Sequence, residues 1–408
     1  MCDSELMNEF LPSQAELALA VQRLAAPRQG QPGRADFSGL DIFPQSGVGS
    51  TQALKRTAEV TLDAALNFAD RGWFAHMDPP TPWVTWACQA WMAALNQNLL
   101  HPDTGLVGRQ VEESVIDALA PHFGMDGGHM VPGSTLANLT ALWAARDLAG
   151  AQTVVASELS HLSIRKAAHI LGVSYRSVPC DETGCIDPNA LGDLKQACLV
   201  LTAGTTSTGS IDPLEPLPDA AWVHVDAAWA GPLRLSQKHA PLLAGLEDAQ
   251  SVAVSAHKWL WQPKDSALIL FADSERAHEA LSFGGTYLSV PNVGVLGSSA
   301  ARAIPLAATL MAFGRDGIAR RLDACMALAD RFAGYLSGDN RFELWGAPQT
   351  GVIAWRSTTR TVEELRAHLA EQGIFVSQTT IGGEDWLRSV AVHPGIDVDV
   401  IYQAACTQ

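Results

Sequence analysis

The chain has 408 residues, of which 47% are apolar and 17% charged, and a formal net charge of −16 at pH 7. That length supports one large domain plus a smaller one, and so little charge implies extensive burial, part of it between subunits. The acidic balance argues against a nucleic-acid partner, and no stretch approaches the roughly 18 uninterrupted apolar residues of a membrane span.

The opening "MCDSELMNEFLPSQAELALA" lacks the basic region and apolar core of a secretory signal. Residues 14–24 read as an amphipathic helix inside an N-terminal arm, residues 1–60, whose later part is rich in Gly and Pro. Residues 53–123 have helical periodicity, and the spacing Trp83, Trp86, Trp91 reads as core or subunit interface. Apolar strands follow at 153–156, 174–178, 198–202, 222–226, 251–255 and 266–271. Helical patterns fall between them at 135–149, 161–171 and 188–196. This alternation predicts an α/β large domain, residues 61–310, on a mostly parallel sheet. Only "QPKD" separates the last two strands, too short for a crossover, so they should pair antiparallel. Residues 311–408 read as a smaller C-terminal α+β domain. Seven cysteines without CxxC spacing predict reduced thiols, a cytoplasmic setting and no zinc site.

Chemistry concentrates in a few motifs. In "SVAVSAHKWLWQPKDSALILF", residues 251–271, Lys258 follows a buried strand in the most apolar neighbourhood of the chain. An ammonium there needs a partner or a chemical role. In such sheets ligands collect beyond the carboxyl ends of the strands. "HVDAAWAG" puts Asp226 at such an end, followed by the small Ala227 and Ala228. "VPGSTLANLTALWAARD" sets Gly133, Ser134 and Thr135 at a helix N-terminus, where free amides and hydroxyls cradle phosphate. "SELSHLSIRKAAHILG" puts His161 in the first turn of another helix. Taken singly, these read as a turn cap, a helix N-cap and a surface histidine.

With Lys258 they acquire one chemical logic. Pyridoxal phosphate requires a lysine for its Schiff base, a carboxylate at its pyridine nitrogen, an anion site for its phosphate and a flat group over its ring. Asp226 precedes Lys258 by 32 residues, about one strand–connection–strand unit, so both fall at neighbouring strand ends.

On these residues the chain resembles the group II pyridoxal-phosphate decarboxylases, the family of glutamate, aromatic-amino-acid and diaminobutyrate decarboxylases. The resemblance covers about residues 72–317 and, more weakly, the C-terminal region. It implies the fold-type I architecture of pyridoxal-phosphate enzymes and a homodimer with active sites at the subunit interface. It implies α-decarboxylation of an L-amino acid to an amine, with no nucleic-acid or membrane partner. "SAHKWL" matches the Schiff-base lysine with Lys258 and a phosphate contact with His257. "HVDAAWAG" assigns Asp226 to the pyridine nitrogen and Ala228 to the ring face. His161 matches the histidine that stacks on the ring and takes part in proton transfer. Ser134 and Thr135 match the phosphate turn, and "LTAGTTSTGSIDPL" turns Thr205 and Thr206 toward the cofactor. "WLRSVAV" offers Arg388 to the substrate carboxylate. "GSSAARAIPL" offers Ser298 and Ser299 to phosphate across a dimer.

The resemblance departs at "FGGTYLSVPNVGVLGSS". Many members carry a loop tyrosine that returns a proton to the substrate carbon. Here the segment between Tyr287 and Gly297 is short and holds no other tyrosine. Tyr287 corresponds to the fixed tyrosine before that loop and is assigned to the substrate, so His161 or water is left to return the proton. An oxidative deaminase releasing aldehyde, another lyase or an aminotransferase keeps the same cofactor parts. A non-catalytic pyridoxal-phosphate-binding protein is the alternative of a different class, opposed by the full catalytic set. Neither the N-terminal arm nor "HMDPPTPW", the segments expected around the substrate side chain, offers an unambiguous charge.

Overall fold

The computed structural model describes residues 13–25, 40–286 and 288–407, in two compact units, Met1–Phe68 and Ala69–Gln408. In the first, helix α1 (Gln14–Ala25) begins at the predicted amphipathic stretch. Ser13 caps it, with Glu16 N donating to Ser13 Oγ at 3.3 Å and Ser13 N donating to Glu16 Oε2 at 2.8 Å. Helix α2 (Ser50–Thr61) follows, and Arg23 forms an ion pair with Asp63. Most of the Gly/Pro-rich run lies outside the described residues.

The second unit opens with helices α3 (Trp83–Leu95) and α4 (Pro102–Leu119). Its sheet then grows in chain order: β1 (Gly127–Val131), α5 (Ser134–Ala149), β2 (Thr153–Ser157), α6 (Leu162–Leu171) and β3 (Ser174–Val178), then β4 (Ala197–Thr202), β5 (Trp222–Asp226), β6 (Ser251–Val254) and β7 (Ala267–Phe271). The seven strands lie in the order β1-β7-β6-β5-β4-β2-β3. Strands β2 to β6 pair in parallel, and β7 pairs antiparallel with both β6 and β1. The short turn before β7 therefore does reverse the chain, as its length requires.

Strands covered on both faces read as continuous apolar runs, and "ALILF" of β7 is completely buried. Each such Leu, Ile or Phe contributes about 1.5–3 kcal/mol relative to an exposed position. Ala137, Ala141, Ala144 and Ala145 on α5 are likewise buried, small side chains that let the helix lie close to the sheet.

Two elements differ from the sequence pattern. The helix expected at 188–196 is a single 3-10 turn, Pro188–Ala190. Gly192 turns the backbone left-handed at φ +63°, and Asp193 Oδ1 accepts from Lys195 N at 3.0 Å. Both end a helix. Strand β1 carries two glycines and little strand propensity, and pairing with β7 makes it a strand. Gly128 is needed there, since a Cβ would stand 2.0 Å from the Ile269 carbonyl oxygen.

Beyond β7 come α7 (Ser274–Ala280), a ribbon of β8 (Ser282–Phe283) and β9 (Asn292–Val293), and α8 (Ala303–Ser337), kinked at Gly314. The chain ends in β10 (Phe342–Leu344), β11 (Val352–Ser357), α9 (Val362–Glu371), β12 (Ser377–Ile381), β13 (Glu384–Val390) and α10 (Val398–Cys406). These four strands form an antiparallel sheet ordered β10-β11-β13-β12. No helix among the described residues is long and apolar enough to cross a membrane.

Candidate active site

Strand β5 delivers Asp226 at its carboxyl end, and the turn after β6 delivers Lys258 beside it. That turn is tightly bonded: Lys258 N donates to Ser255 O at 3.2 Å and Trp261 N to Lys258 O at 3.1 Å. The flanking indoles fasten it to the end of β13. Trp259 Nε1 donates to Ala391 O at 3.2 Å and Trp261 Nε1 to Val392 O at 3.0 Å. Trp259 also packs on Trp229 with ring centroids 4.0 Å apart. Trp261 holds φ +54°, a strained conformation for a bulky side chain. Lys258 thus stands on an over-determined turn.

A cavity of about 200 Å³ surrounds it, walled by Ser134, Thr135, His161, Thr206, Asp226, Ala228, His257 and Lys258. All eight were predicted from the sequence. Pro132, Gly133, Thr202, Gly204, Trp229 and Ser255 complete the wall. Burial lowers the pKa of Lys258, with Asp226 opposing the shift. His257 is pushed down to about 4 by burial and then by Lys264 and Lys258.

Three buried polar atoms of the wall have no hydrogen-bond partner: Ser134 Oγ, Thr202 Oγ1 and His257 Nδ1. Buried polar atoms are rarely left so. Gly133 enters α5 at φ +89°, with His257 Cε1 3.6 Å from where its Cβ would be. A helix N-terminus, a free hydroxyl and a free imidazole nitrogen therefore share the wall of the cavity, a donor set suited to an oxyanion. The residues fit pyridoxal phosphate: oxyanion donors, the Asp226 carboxylate and the Lys258 amine line one cavity.

Asp226 is held in place from behind. Asn138 Nδ2 donates to its Oδ2 at 2.8 Å, and Ala228 N donates to its Oδ1 at 3.2 Å. The same Asn138 amide reaches Ser163 Oγ at 2.9 Å and His224 Nε2 at 3.0 Å. Asn138, Ser163 and His224 are fully buried. The sequence reading missed all three, although each stands within a quoted motif; Asn138 lies four residues after Ser134, on the same helix face. His161 caps α6 through Nδ1, which accepts from Ser163 N at 3.2 Å and lies 2.7 Å from Ser163 Oγ. His161 is exposed, yet partial burial lowers its pKa, with Asp226 opposing.

Other predicted residues lie elsewhere. Thr205 is buried behind the wall, bonded to Thr208 through their hydroxyls at 2.6 Å. Arg388 stands one residue further out, donating to Thr206 O at 3.1 Å, Ser377 Oγ at 2.9 Å and His76 Nδ1 at 3.2 Å. Ser298 and Ser299 pack on Asn98, at 3.2 Å each, away from this cavity. Tyr287 lies outside the described residues. A larger cavity of about 400 Å³, near Arg109, Glu112 and His129, shares no wall residue with the Lys258 site.

Residues 116–358 match the family model described as the pyridoxal-dependent decarboxylase conserved domain. An L-2,4-diaminobutyrate decarboxylase of Rhizobium meliloti is 29% identical, over 89% of this chain and 82% of its own length. An aspartate 1-decarboxylase of Aliivibrio fischeri is 26% identical, over 81% of this chain and 72% of its own length. Among solved structures, Oryza sativa TDC with PLP and tryptamine superposes with a TM-score of 0.84 at 22% identity, covering 96% of this chain and 97% of that one. At that identity the likeness is one of fold.

Proposed function

This chain belongs to the pyridoxal-dependent decarboxylase family, and we propose from that premise that Lys258, Asp226 and His161 carry its α-decarboxylation of an L-amino acid to an amine and carbon dioxide. The observation that carries the assignment is the single cavity in which a desolvated lysine, a fixed carboxylate and unpartnered anion donors meet. Pyridoxal 5′-phosphate, when bound, supplies the electron sink for the pair released by the breaking Cα–carboxylate bond. Ser134 and His257 at the start of α5 would hold its phosphate, and Ala228 and His161 its two ring faces. Asp226, fixed by Asn138 and the Ala228 amide, would keep the ring nitrogen protonated. Burial around Lys258 favours the neutral, nucleophilic amine. Arg388, anchored by its other donors, would meet the substrate carboxylate.

The subunit arrangement belongs to the same proposal: a homodimer in the cytoplasm, with active sites at the interface. Trp83, Trp86 and Trp91 of α3 support it, being 74%, 49% and 60% exposed in the single chain. Ser298 and Ser299 would then serve the partner's site.

For the substrate side chain, Asp78 is the residue of interest. Its carboxylate pairs with Lys264, six residues beyond Lys258, and its carbonyl is pinned by Trp73 Nε1 at 2.9 Å. Backbone anchoring makes Asp78 the stationary partner and Lys264 the exchangeable one. We therefore propose a short cationic side chain that displaces Lys264, as in the diaminobutyrate named for one relative. Asp78→Asn should raise KM for L-2,4-diaminobutyrate about tenfold, roughly 1.4 kcal/mol, with kcat nearly unchanged. Preference for an aspartate or an aromatic substrate would refute the cationic reading.

The overall assignment is tested by incubating the pure protein with a panel of L-amino acids and following carbon dioxide, amine and hydrogen peroxide together. Equal amounts of carbon dioxide and amine are expected. Aldehyde with peroxide as the main products would instead identify an oxidative deaminase.

A further inference from the structure

Behind the cavity runs a chain of buried hydrogen bonds whose direction can be worked out from its chemistry. Asn138 must turn its amide nitrogen toward Asp226, because its oxygen would otherwise face a carboxylate at 2.8 Å. Its second Nδ2 proton then goes to Ser163 Oγ at 2.9 Å, and its Oδ1 faces His224 Nε2 at 3.0 Å. An oxygen there requires a proton on His224 Nε2. His224 Nδ1 lies 2.9 Å from Ser251 Oγ and 3.2 Å from the Ser251 carbonyl oxygen. Burial lowers the ring's pKa to about 4, so the ring carries one proton, on Nε2, and Nδ1 accepts from the Ser251 hydroxyl. Ser251 Oγ in turn accepts from Trp222 Nε1 at 2.9 Å.

At the other end, Ser163 Oγ already accepts from Asn138, so its own proton is free for His161 Nδ1 at 2.7 Å. The Ser163 backbone N–H also points at that nitrogen, at 3.2 Å. Two donors converge on Nδ1, which must therefore be the unprotonated nitrogen.

We propose that Ser163 and Asn138 are positioning residues that lock His161 as a neutral ring with its proton on Nε2, the edge not held by Ser163, and that tie this tautomer to the carboxylate of Asp226. The inference rests on His161 facing the cofactor, as proposed above. It bears on the missing loop tyrosine. A neutral imidazole loses its Nε2 proton only by becoming imidazolate, so His161 serves as a hydrogen-bond donor and not as the final proton source. A water whose oxygen accepts from Nε2–H gives one proton to the substrate carbon. The hydroxide left behind is stabilised by that same N–H and reprotonated by solvent.

The tautomer can be read without turnover, by nitrogen-15 NMR of histidine-labelled protein stripped of its bound cofactor. His161→Gln identifies the signal by removing it. The expected wild-type result is a protonated Nε2 and a bare Nδ1. Ser163→Thr, which keeps the hydroxyl, should preserve it, and Ser163→Ala, left with only the weaker backbone donor at 3.2 Å, should add a detectable Nδ1-protonated form. In the loaded enzyme Ser163→Ala should lower kcat about tenfold, the effect of one lost hydrogen bond, with KM nearly unchanged and threonine restoring the rate. A proton on Nδ1 in the wild type, or an unchanged tautomer in Ser163→Ala, would overturn the inference. Borohydride attachment of the cofactor at Lys258 in the loaded enzyme reports the cofactor assignment separately.

Discussion

Lys258→Ala is expected to abolish turnover, by at least about a thousandfold, roughly 4 kcal/mol of barrier, while the protein stays folded. The lysine stands on a turn fastened by backbone bonds and by the indoles of Trp259 and Trp261, none of which involves its ammonium group. The Asp226 carboxylate left behind keeps its bonds from Asn138 and the Ala228 amide. What is lost is the tether and the only amine among the residues walling the cavity. Wild-type protein should be yellow as isolated, and borohydride should attach the colour covalently to the peptide containing Lys258. The alanine variant should still bind cofactor weakly through Ser134 and His257 but release it on denaturation. Normal activity in Lys258→Ala would refute the assignment of the cavity.

Asp226→Asn is expected to lower kcat by about a hundredfold or more, roughly 2.7 kcal/mol. The substitution is nearly isosteric, but the bonds from Asn138 and the Ala228 amide go to different oxygens of Asp226, and the single oxygen of an amide can accept only one of them. Stability should therefore fall by the cost of one unmade buried hydrogen bond, about 1–3 kcal/mol, with the fold and the cofactor content kept. The missing negative charge leaves nothing to hold the pyridine nitrogen protonated, which weakens the electron sink when the carboxylate bond breaks. Absorption spectra with substrate and carbon dioxide release should both record the loss. A rate within a few-fold of wild type would mean that another group serves that nitrogen. Asn138→Leu should reproduce part of the defect, because Asp226 would then lose its stronger fixed donor.

Most of the large sheet was legible because its central strands are buried on both faces: 197–202, 222–226, 251–254 and 267–271 stand out from their apolar runs. The lysine, the aspartate and the Gly-Ser-Thr turn at residues 133–135 were legible for a related reason. Each follows such a strand or opens a helix, so its place at the carboxyl edge follows from the local pattern. Strand β1 was not, since a segment with two glycines becomes a strand only through the bonds that β7 provides. The expected helix at 188–196 failed because Gly192 and Asp193 have turn chemistry that outweighs a short apolar period.

Around the site, sequence alone determined which residue types could do the chemistry, and tertiary structure decided what holds them. Asn138, Ser163 and His224 look in the sequence like ordinary helix and strand residues. They lie 25 and 86 positions apart in their pairings with Asn138, and no local pattern relates them. Only packing α5 on the sheet, with α6 beside it, brings their polar atoms together where water is excluded and every donor must find an acceptor. The same holds for Arg388, whose reach to Thr206 spans 182 positions. Residue chemistry is local and can be read along the chain, whereas the satisfaction of buried hydrogen bonds is a property of the folded interior.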